Sequence, residues 1–504
     1  MSSTVTRALD AGSHRPGTRS HPSSHAVRRR WSTAASVVLA SLAAAVLVLF
    51  AGPDLGLADN NDGRRLMCQV GLAPLQQPVG GTVDFDLGPA PPEVLEGCTD
   101  DSWRYPTSWA PVVGVAVAVH QGLLGSDGFD LRSLALASAL LLSVAAGVLA
   151  AVLSGPAWWR LLLAGGLALA VLDTGLAAYL ASPYAEAGGF VGLLLFLAAA
   201  VSYLVRDAVR AVDVALLVAA ALFVGTVKAQ LAPMLLVAGA VLLLRAVAWR
   251  RSAGGRPRPG RVRAWPVLGA VVVVAAVPVF LGQLGDEFSR VNRYHLLFTT
   301  LLPGSGEPAA ALAELGLPPE LASYSGSYAY GERTAFAEPS YPRVEEGFDR
   351  GDAVRYWVAH PAEGLRAVGT VTAEAAHTRV EHLAMTEQDP AAPIVVVDRW
   401  QPGHLALAPF RALPWPFLWL AWGVSFAAGS WVAARHRLPP AVRQVGALAA
   451  LLATVAASQV VVALLGDGYY EVRKHLVFSA WASVALVPVV LAMTVSPLLA
   501  RRRR

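Results

Sequence analysis

The sequence predicts an all-α polytopic membrane protein with about ten transmembrane helices. The chain has 504 residues, of which 55% are hydrophobic, and its mean hydropathy is +0.50. Apolar stretches of the length that a spanning helix needs, about 20 residues, recur along it. The basic residues lie in short clusters between these stretches. The net charge of +5 therefore indicates how the chain is oriented in a membrane, and it does not indicate nucleic-acid binding.

Hydropathy and length select ten candidate spans. Two of them, 212–226 and 231–248, are short and nearly adjacent, which predicts a helical hairpin with Lys228 and Gln230 at its tip. Residues 109–125 are also apolar, but counting them as a span would put the linker 245–263, with its seven arginines, outside the cytoplasm. We expect them to lie along the membrane interface. The ten spans are 32–51, 131–153, 161–180, 188–205, 212–226, 231–248, 265–284, 413–434, 442–465 and 476–499.

The arginine clusters predict the orientation and the division into domains. Residues 1–31 are expected to be a disordered cytoplasmic N-terminus, followed by a core of seven spans over 32–284 with an outer loop at 52–130. Residues 285–412 form a small extracytoplasmic α-rich domain, and 413–504 hold three spans and a basic cytoplasmic tail. The protein is thus expected in the cell membrane, with both termini cytoplasmic.

The start of the outer loop allows two interpretations of the first span. Gly56-Leu57-Ala58 resembles a signal-peptide cleavage site, but the apolar run is longer than a signal peptide needs, which favours an uncleaved anchor. The two cysteines, Cys68 and Cys98, both lie in this loop. Outside the cytoplasm a disulfide between them can persist, and two unpaired thiols are the alternative.

Four polar segments are predicted on the outer side. Each alone could be an ordinary turn or a set of side chains that reach toward lipid headgroups. Together they place acids and bases around one membrane surface, which indicates a site for an anionic molecule held in the membrane. Asp173, near the outer end of the third span, is expected to face protein or water, because an acid within a span costs about 2.5 to 3.5 kcal/mol at the helix centre. The segments are Asp59-Asn60-Asn61-Asp62 with Arg64 and Arg65, Tyr184-Ala185-Glu186, Lys228 with Gln230, and Gly466 to His475.

The segment 285–412 is long enough to fold a small cap that leans on the membrane core. Its pattern predicts helices around 309–323 and 352–384, with an aromatic polar loop at 323–332 between them. Several aromatic side chains here could stack on sugar faces, although core packing is the commoner fate of such residues. They are Tyr324, Tyr328, Tyr330 and Trp357.

The layout resembles the integral-membrane glycosyltransferases of the GT-C class, which carry an acidic motif in the first outer loop. It resembles more closely the hexosyltransferases of bacterial surface-glycan assembly (WsfD-like). An extra asparagine stands where such families often have glycine in the first motif. The matching elements are Asp59-Asn60-Asn61-Asp62, Tyr184-Ala185-Glu186, Asn292-Arg293-Tyr294 with Leu315-Gly316-Leu317, and Gly466-Asp467-Gly468.

The resemblance implies inverting transfer of a hexose from a polyprenyl-phosphate carrier to a glycan or lipid acceptor, with a carboxylate as the base. Asp59 is the first candidate for the base and Asp62 the second. A divalent cation, Mg²⁺ or Mn²⁺, is compatible with this chemistry, but no His/Cys spacing requires one. Candidates for binding the donor phosphate are Arg64, Lys228, Arg473, Lys474 and His475. Candidates for binding substrate are Tyr184, Glu186, Gln230, Asn292, Arg293 and Tyr469.

Two other classes of function compete with this interpretation. A transporter or flippase of a lipid-linked glycan would show internal repeats and helices broken at mid-membrane. The sequence has no convincing repeat, and its charges gather at one surface. A non-catalytic membrane protein of envelope assembly is the third class, and its outer acids would tolerate neutral replacement.

Overall fold

The structure, a computed structural model, describes residues 24–51, 55, 62–74, 86–91, 104–251, 257–380 and 400–501. This part of the chain is mostly helical, which confirms the predicted fold class. Each of the ten predicted apolar segments forms a helix. They are α1 (Ser24–Phe50), α2 (Leu131–Val152), α3 (Ala157–Val171 and Thr174–Ala181), α4 (Glu186–Val205), α5 (Ala211–Val227), α6 (Pro233–Leu244), α7 (Ala264–Leu281), α8 (Pro416–Ala434), α9 (Pro440–Gly466) and α10 (Val477–Arg501).

Seven of these helices are long and apolar enough to cross a membrane, and α3 makes an eighth if its two pieces form one span. Helices α5 and α6 are shorter and form the predicted hairpin around Lys228 and Gln230. Large apolar side chains such as Leu39, Leu216 and Leu420 are exposed along the helices. Exposed apolar faces of this kind suit contact with lipid. The chain is therefore a multi-pass membrane protein.

Helix α3 differs from the predicted continuous span 161–180, because it bends by 70° between its two pieces. Asp173 caps the second piece: its Oδ1 accepts from the Gly175 N–H at 3.2 Å, and its Oδ2 accepts from the His404 N–H at 3.0 Å. These hydrogen bonds compensate the burial of the carboxylate. Asp173 thus faces protein, one of the two environments predicted for it.

The arginine-rich helix ends lie together at one end of the bundle. Arg160 donates to the Thr33 hydroxyl at 2.8 Å, which joins the starts of α3 and α1. Arg245, after α6, donates to carbonyl groups at the end of α4, including that of Leu204 at 2.7 Å. Arg443, near the start of α9, also donates to a carbonyl at the end of α4, that of Val205 at 3.4 Å. We call this end, where α1, α3 and α9 begin, the basic end.

Two expectations for this end require correction. Helix α1 begins at Ser24, so the last residues of the predicted disordered terminus are helical, while residues 1–23 lie outside the described residues. The predicted linker 245–263 contains two antiparallel strands, Val247–Arg251 and Pro257–Val262, which the prediction did not include. Backbone pairing between them is a tertiary feature that a Gly/Pro/Arg-rich composition does not reveal.

The outer loop places short elements beside the opposite end of the bundle. A helix, Asp62–Gln69, precedes a small three-stranded sheet, with strands Leu72–Pro74, Asp86–Pro89 and Phe129–Asp130. The apolar helix Ala110–Leu124 lies between the second and third strands, and the chain just before it is bonded to the end of α5. There the Thr107 hydroxyl donates to the Val227 carbonyl at 2.6 Å.

The polar segment 285–412 has its own apolar core, which includes Tyr294, Phe298 and Phe348. Trp357 packs against this core and against the main one, so the segment leans on the membrane helices as expected. The predicted helix 309–323 is broken, because Gly316 has φ +73° and Pro318 follows it. The predicted helix 352–384 is two helices divided before Pro361. The bounds are Asp286–His295, Pro308–Glu314, Pro342–Gly347, Arg350–Ala359, Pro361–Glu374 and Pro402–Ala412, with a π-helical turn at Leu296–Leu301.

Candidate functional site

A cavity of about 1740 Å³ lies at the end of the bundle opposite the basic end. Its wall combines the helix Asp62–Gln69, the turn before α4, the tip of the α5–α6 hairpin and the chain between α9 and α10. All four predicted polar segments therefore contribute to it. The polar segment 285–412 adds the helix Asp286–His295, Tyr330 and Arg350.

Of the residues that the sequence analysis proposes for catalysis, binding or the disulfide, the structure brings eight to this wall. They come from positions separated by up to four hundred residues, so long-range packing assembles the cavity. The eight are Arg64, Cys68, Tyr184, Glu186, Lys228, Gln230, Asn292 and His475.

Three predicted cationic residues do not line the cavity. Arg473 is paired with Glu374, and Arg293 donates to the Glu345 carbonyl at 2.6 Å. The Lys474 side chain is fully buried 2.9 Å from Glu471, with its ammonium group 5.3 Å from the centre of the Tyr184 ring. These cations are bound to partners within the protein, so Arg473, Lys474 and Arg293 stabilise the surroundings of the cavity.

Tyr469, a predicted substrate residue, does not line the cavity either. Its side chain packs against the main apolar core, and its backbone N–H donates to the Thr300 hydroxyl at 2.9 Å. The neighbouring residue, Tyr470, lines the cavity instead. A shift of one position along an irregular loop thus separates the predicted tyrosine from the observed one.

The predicted base and disulfide lie partly outside the described residues. Asp59 and Cys98 are among the residues that the structure does not describe, and Asp62 is described only as the first residue of its helix. The first turn of that helix also carries Arg64, which lines the cavity. Cys68 takes part in a disulfide.

Glu186 and Lys228 form a buried ion pair in the wall of the cavity. Their side chains are 1% and 12% exposed. Within the described residues, Oε2 of Glu186 and the side-chain nitrogen of Gln230 are buried without a hydrogen-bond partner. Leaving a buried polar atom unpaired costs about 1 to 3 kcal/mol. A hydroxyl group, which both donates and accepts hydrogen bonds, is the kind of ligand group that can pair with either atom.

Asp467 lies between two histidines at the cavity. Its Oδ1 is hydrogen-bonded to His295, and its Oδ2 lies 3.2 Å from Nε2 of His475. Burial opposes ionisation of the Asp467 carboxyl, but the hydrogen bonds from both imidazoles outweigh it and hold its pKa well below the ordinary value. The carboxylate is therefore ionised at neutral pH. The stability that it contributes is lost as the pH falls below the range in which an unfolded aspartate ionises.

The loop that carries Asp467 has an unusual backbone. Gly468 has φ +60°, and a Cβ atom there would overlap the Thr300 hydroxyl. Glu471 has φ 44° and is the only non-glycine residue with positive φ in the described part of the chain. Such backbone conformations cost free energy and persist when the surrounding contacts fix them. The close approach of Gly468 and Thr300 holds Asp467 and Tyr470 at the cavity.

Other residues of the wall were not proposed as site residues from the sequence. His295 lies one helical turn after the predicted Asn292, and this spacing could have identified it. Arg104 and Arg350 carry no such signal, because only packing brings their segments to the cavity. Arg350 donates to the Leu465 carbonyl at 2.8 Å. Tyr470 stacks on His295 with ring centres 4.1 Å apart and lies 6.5 Å from Tyr330.

One side of the cavity is apolar and lies between α7 and α9. Val277 and Leu281 of α7, and Val461 and Leu465 of α9, line it. Leu281 and Val461 are 42% and 48% exposed, so this side continues to the outer surface of the helices. Helix α7 packs against α5 and α6, whereas α9 packs against α4, α8 and α10. The cavity thus joins charged groups to a surface that suits lipid chains.

Metal ligation has no support among the residues that the structure describes. No group of three His, Cys, Asp or Glu side chains there is arranged to hold a metal ion.

The family described as the YfdI N-terminal transmembrane domain matches residues 22–504. No curated protein and no solved structure matches the chain.

Proposed function

Because the chain belongs to the family of the YfdI N-terminal transmembrane domain, we propose that this multi-pass membrane protein is a glycosyltransferase. It moves a hexose from a polyprenyl-phosphate carrier to a cell-envelope glycan or lipid acceptor. The observation that carries the proposal is the cavity, where charged and hydrogen-bonding side chains meet an apolar side between α7 and α9. A lipid-linked sugar phosphate has this same division between a polar head and an apolar tail.

The arginine distribution supports an outward-facing cavity. Clusters of Lys and Arg favour the cytoplasmic side of a membrane. The helix ends at Arg160, Arg245 and Arg443 lie at the basic end, and the cavity is at the other. We therefore propose that the reaction takes place at the extracytoplasmic face.

Cationic and donor groups in the wall suit the donor phosphate. Arg64, Lys228 and His475 can donate charge-assisted hydrogen bonds to phosphate oxygens. Negative charge grows on this phosphate as the bond to the sugar breaks, so the same groups stabilise the transition state. Glu186 and Gln230 offer an acceptor and a donor to the sugar hydroxyls.

The transfer needs a base on the acceptor hydroxyl. The acceptor oxygen bonds to the anomeric carbon, its proton passes to a carboxylate, and the bonding electrons of the leaving group pass to the phosphate oxygen. Asp59 and Asp62 stay the candidates for this base. Asp62 begins the helix whose first turn also carries Arg64, a residue of the cavity wall.

Asparagine substitutions test the proposal. We expect Asp59→Asn or Asp62→Asn to lower hexose transfer by at least about 100-fold, because the amide keeps the size and cannot take the proton. The assay uses the purified protein in lipid nanodiscs with radiolabelled polyprenyl-phosphate hexoses. Asp127→Asn, in an exposed loop away from the cavity, is the matched control.

Full activity in both variants would rule out this motif as the source of the base. If the wild-type protein transfers hexose from none of the donors but moves the lipid-linked carrier between leaflets, the competing flippase function is favoured.

A further inference from the structure

Hydrogen-bond chemistry fixes the proton positions around Asp467. Nε2 of His295 accepts from the Ala329 N–H at 3.0 Å, so the ring proton must be on Nδ1. That proton is donated to Asp467 Oδ1. A second proton on His295 would face the Ala329 N–H. The fully buried His295 is therefore neutral and holds one carboxylate oxygen in place.

Nε2 of His475 is bonded to the other carboxylate oxygen of Asp467, and its second ring nitrogen, Nδ1, lies beside Gln230. Because ionised Asp467 can only accept, Nε2 of His475 carries a proton. Nδ1 is then the ring atom whose protonation can change. It lies 3.5 Å from the side-chain oxygen of Gln230. The nitrogen of the same amide has no partner in the part of the chain that the structure describes.

Two arrangements satisfy this contact. A proton on Nδ1 can point to the Gln230 oxygen, or the Gln230 amide can turn over and donate to an unprotonated Nδ1. In the first arrangement His475 is a cation in the wall of the cavity. The orientation of the Gln230 amide is therefore coupled to the protonation of His475.

We propose that His475 is the acid that gives a proton to the phosphate oxygen of the departing carrier, and that Asp467 and His295 are positioning residues for it. The inference rests on the proposed transferase function. As the bond between the anomeric carbon and the phosphate oxygen breaks, its electron pair stays on that oxygen. The oxygen then takes the proton from Nδ1, while the acceptor's proton goes to the carboxylate base. Water restores both groups after the products leave.

The charged groups around His475 are mostly neutralised by each other. Lys474 on its own helix is paired with Glu471 from the preceding loop, at 2.9 Å. Lys228, at the hairpin tip that carries Gln230, is paired with Glu186. Asp467 is thus the charged group that is bonded directly to His475, and this bond also orients the imidazole ring of His475.

Kinetics against pH test the role of His475. The wild-type turnover number kcat should fall as the pH rises through the titration of the imidazole, because the acid is then lost. His475→Gln should lower kcat by at least about 100-fold and remove that fall, since the amide has no acidic proton. The donor KM should rise by a much smaller factor than kcat falls, because the contact with the phosphate contributes to binding, whereas the proton is transferred only in the transition state. Asp467→Asn should lower kcat and move the fall to lower pH.

The matched control is His360→Gln. His360 lies outside the cavity, 3.0 Å from Glu314 in the polar segment. It should keep the wild-type kcat and pH profile. An unchanged kcat and pH profile in His475→Gln would overturn the proposal, and so would a rise in donor KM with kcat unchanged, which indicates a phosphate-binding role alone.

Histidine NMR of the wild-type protein with a short-chain prenyl phosphate gives a second test that needs no turnover. The titration of His475 should move to higher pH when the phosphate binds, and Asp467→Asn should reduce this shift. If the titration of His475 does not change when the prenyl phosphate is added, the inference is overturned. If the shift occurs and no hexose is transferred from any donor, the proposed function fails while His475 stays the group that shares a proton with the phosphate.

Discussion

Gly468 determines the shape of the loop that carries Asp467 and Tyr470. Its positive φ and its contact with Thr300 leave no room for a side chain. The sequence contains the Gly-Asp-Gly element, but it does not contain the reason for the second glycine. That reason is a contact with a residue 168 positions earlier in the chain.

We expect Gly468→Ala to destabilise the protein by about 2 to 4 kcal/mol, because the new methyl group meets the Thr300 hydroxyl and the backbone is strained. Thermal unfolding in detergent would show it as a lower apparent melting temperature. The control is Gly466→Ala, where a methyl group would meet nothing within 4 Å. Equal melting temperatures for the two variants would contradict the contact.

Residue types predicted part of the site but not the partners of each residue. Tyr184, Glu186, Lys228, Gln230 and His475 are predicted because they lie in polar segments that share the outer side of the membrane, and all five line the cavity. Arg473 and Lys474 were chosen for the same reason. Their acidic partners, Glu374 and Glu471, are fixed by tertiary packing and loop geometry, which composition does not encode.

Among the elements, the Arg473–Glu374 pair joins the short helix Val472–His475 to the helix Pro361–Glu374 of the polar segment. Both side chains are about one quarter exposed, so the pair contributes no more than about 1 kcal/mol. Its role is to hold two elements in register beside the cavity.

Arg473→Gln should therefore lower the stability slightly and leave the donor KM unchanged. Lys228→Gln, by contrast, should raise the donor KM about tenfold or more, because it removes a charged hydrogen-bond donor from the cavity. Steady-state kinetics of the two variants measure this difference. A large increase in the donor KM for Arg473→Gln would instead indicate that Arg473 binds the donor phosphate.

Hydropathy predicted the ten apolar helices, because the membrane imposes a length and a composition on each of them. It did not predict the bend in α3. The bend depends on Asp173 binding the His404 N–H and on Thr174 accepting a hydrogen bond from the Trp400 N–H at 2.9 Å. These contacts join residues more than two hundred positions apart, so no local pattern signals them.

In the whole molecule, antiparallel helices collect the basic clusters at one end and the polar turns at the other. This arrangement follows from the alternation of spans, which is why the sequence predicted that the polar segments share one side. Their convergence into one cavity required the packing of α4, α7, α9 and the polar segment, which the sequence alone could not supply.

A structure of the protein in a lipid nanodisc with a bound polyprenyl-phosphate hexose tests the central claim most directly. We expect the phosphate beside Lys228 and His475, the sugar near Glu186 and Gln230, and the lipid chain on the apolar side between α7 and α9. A donor bound at the basic end of the bundle, or a phosphate held by Arg473 and Lys474 outside the cavity, would contradict the account.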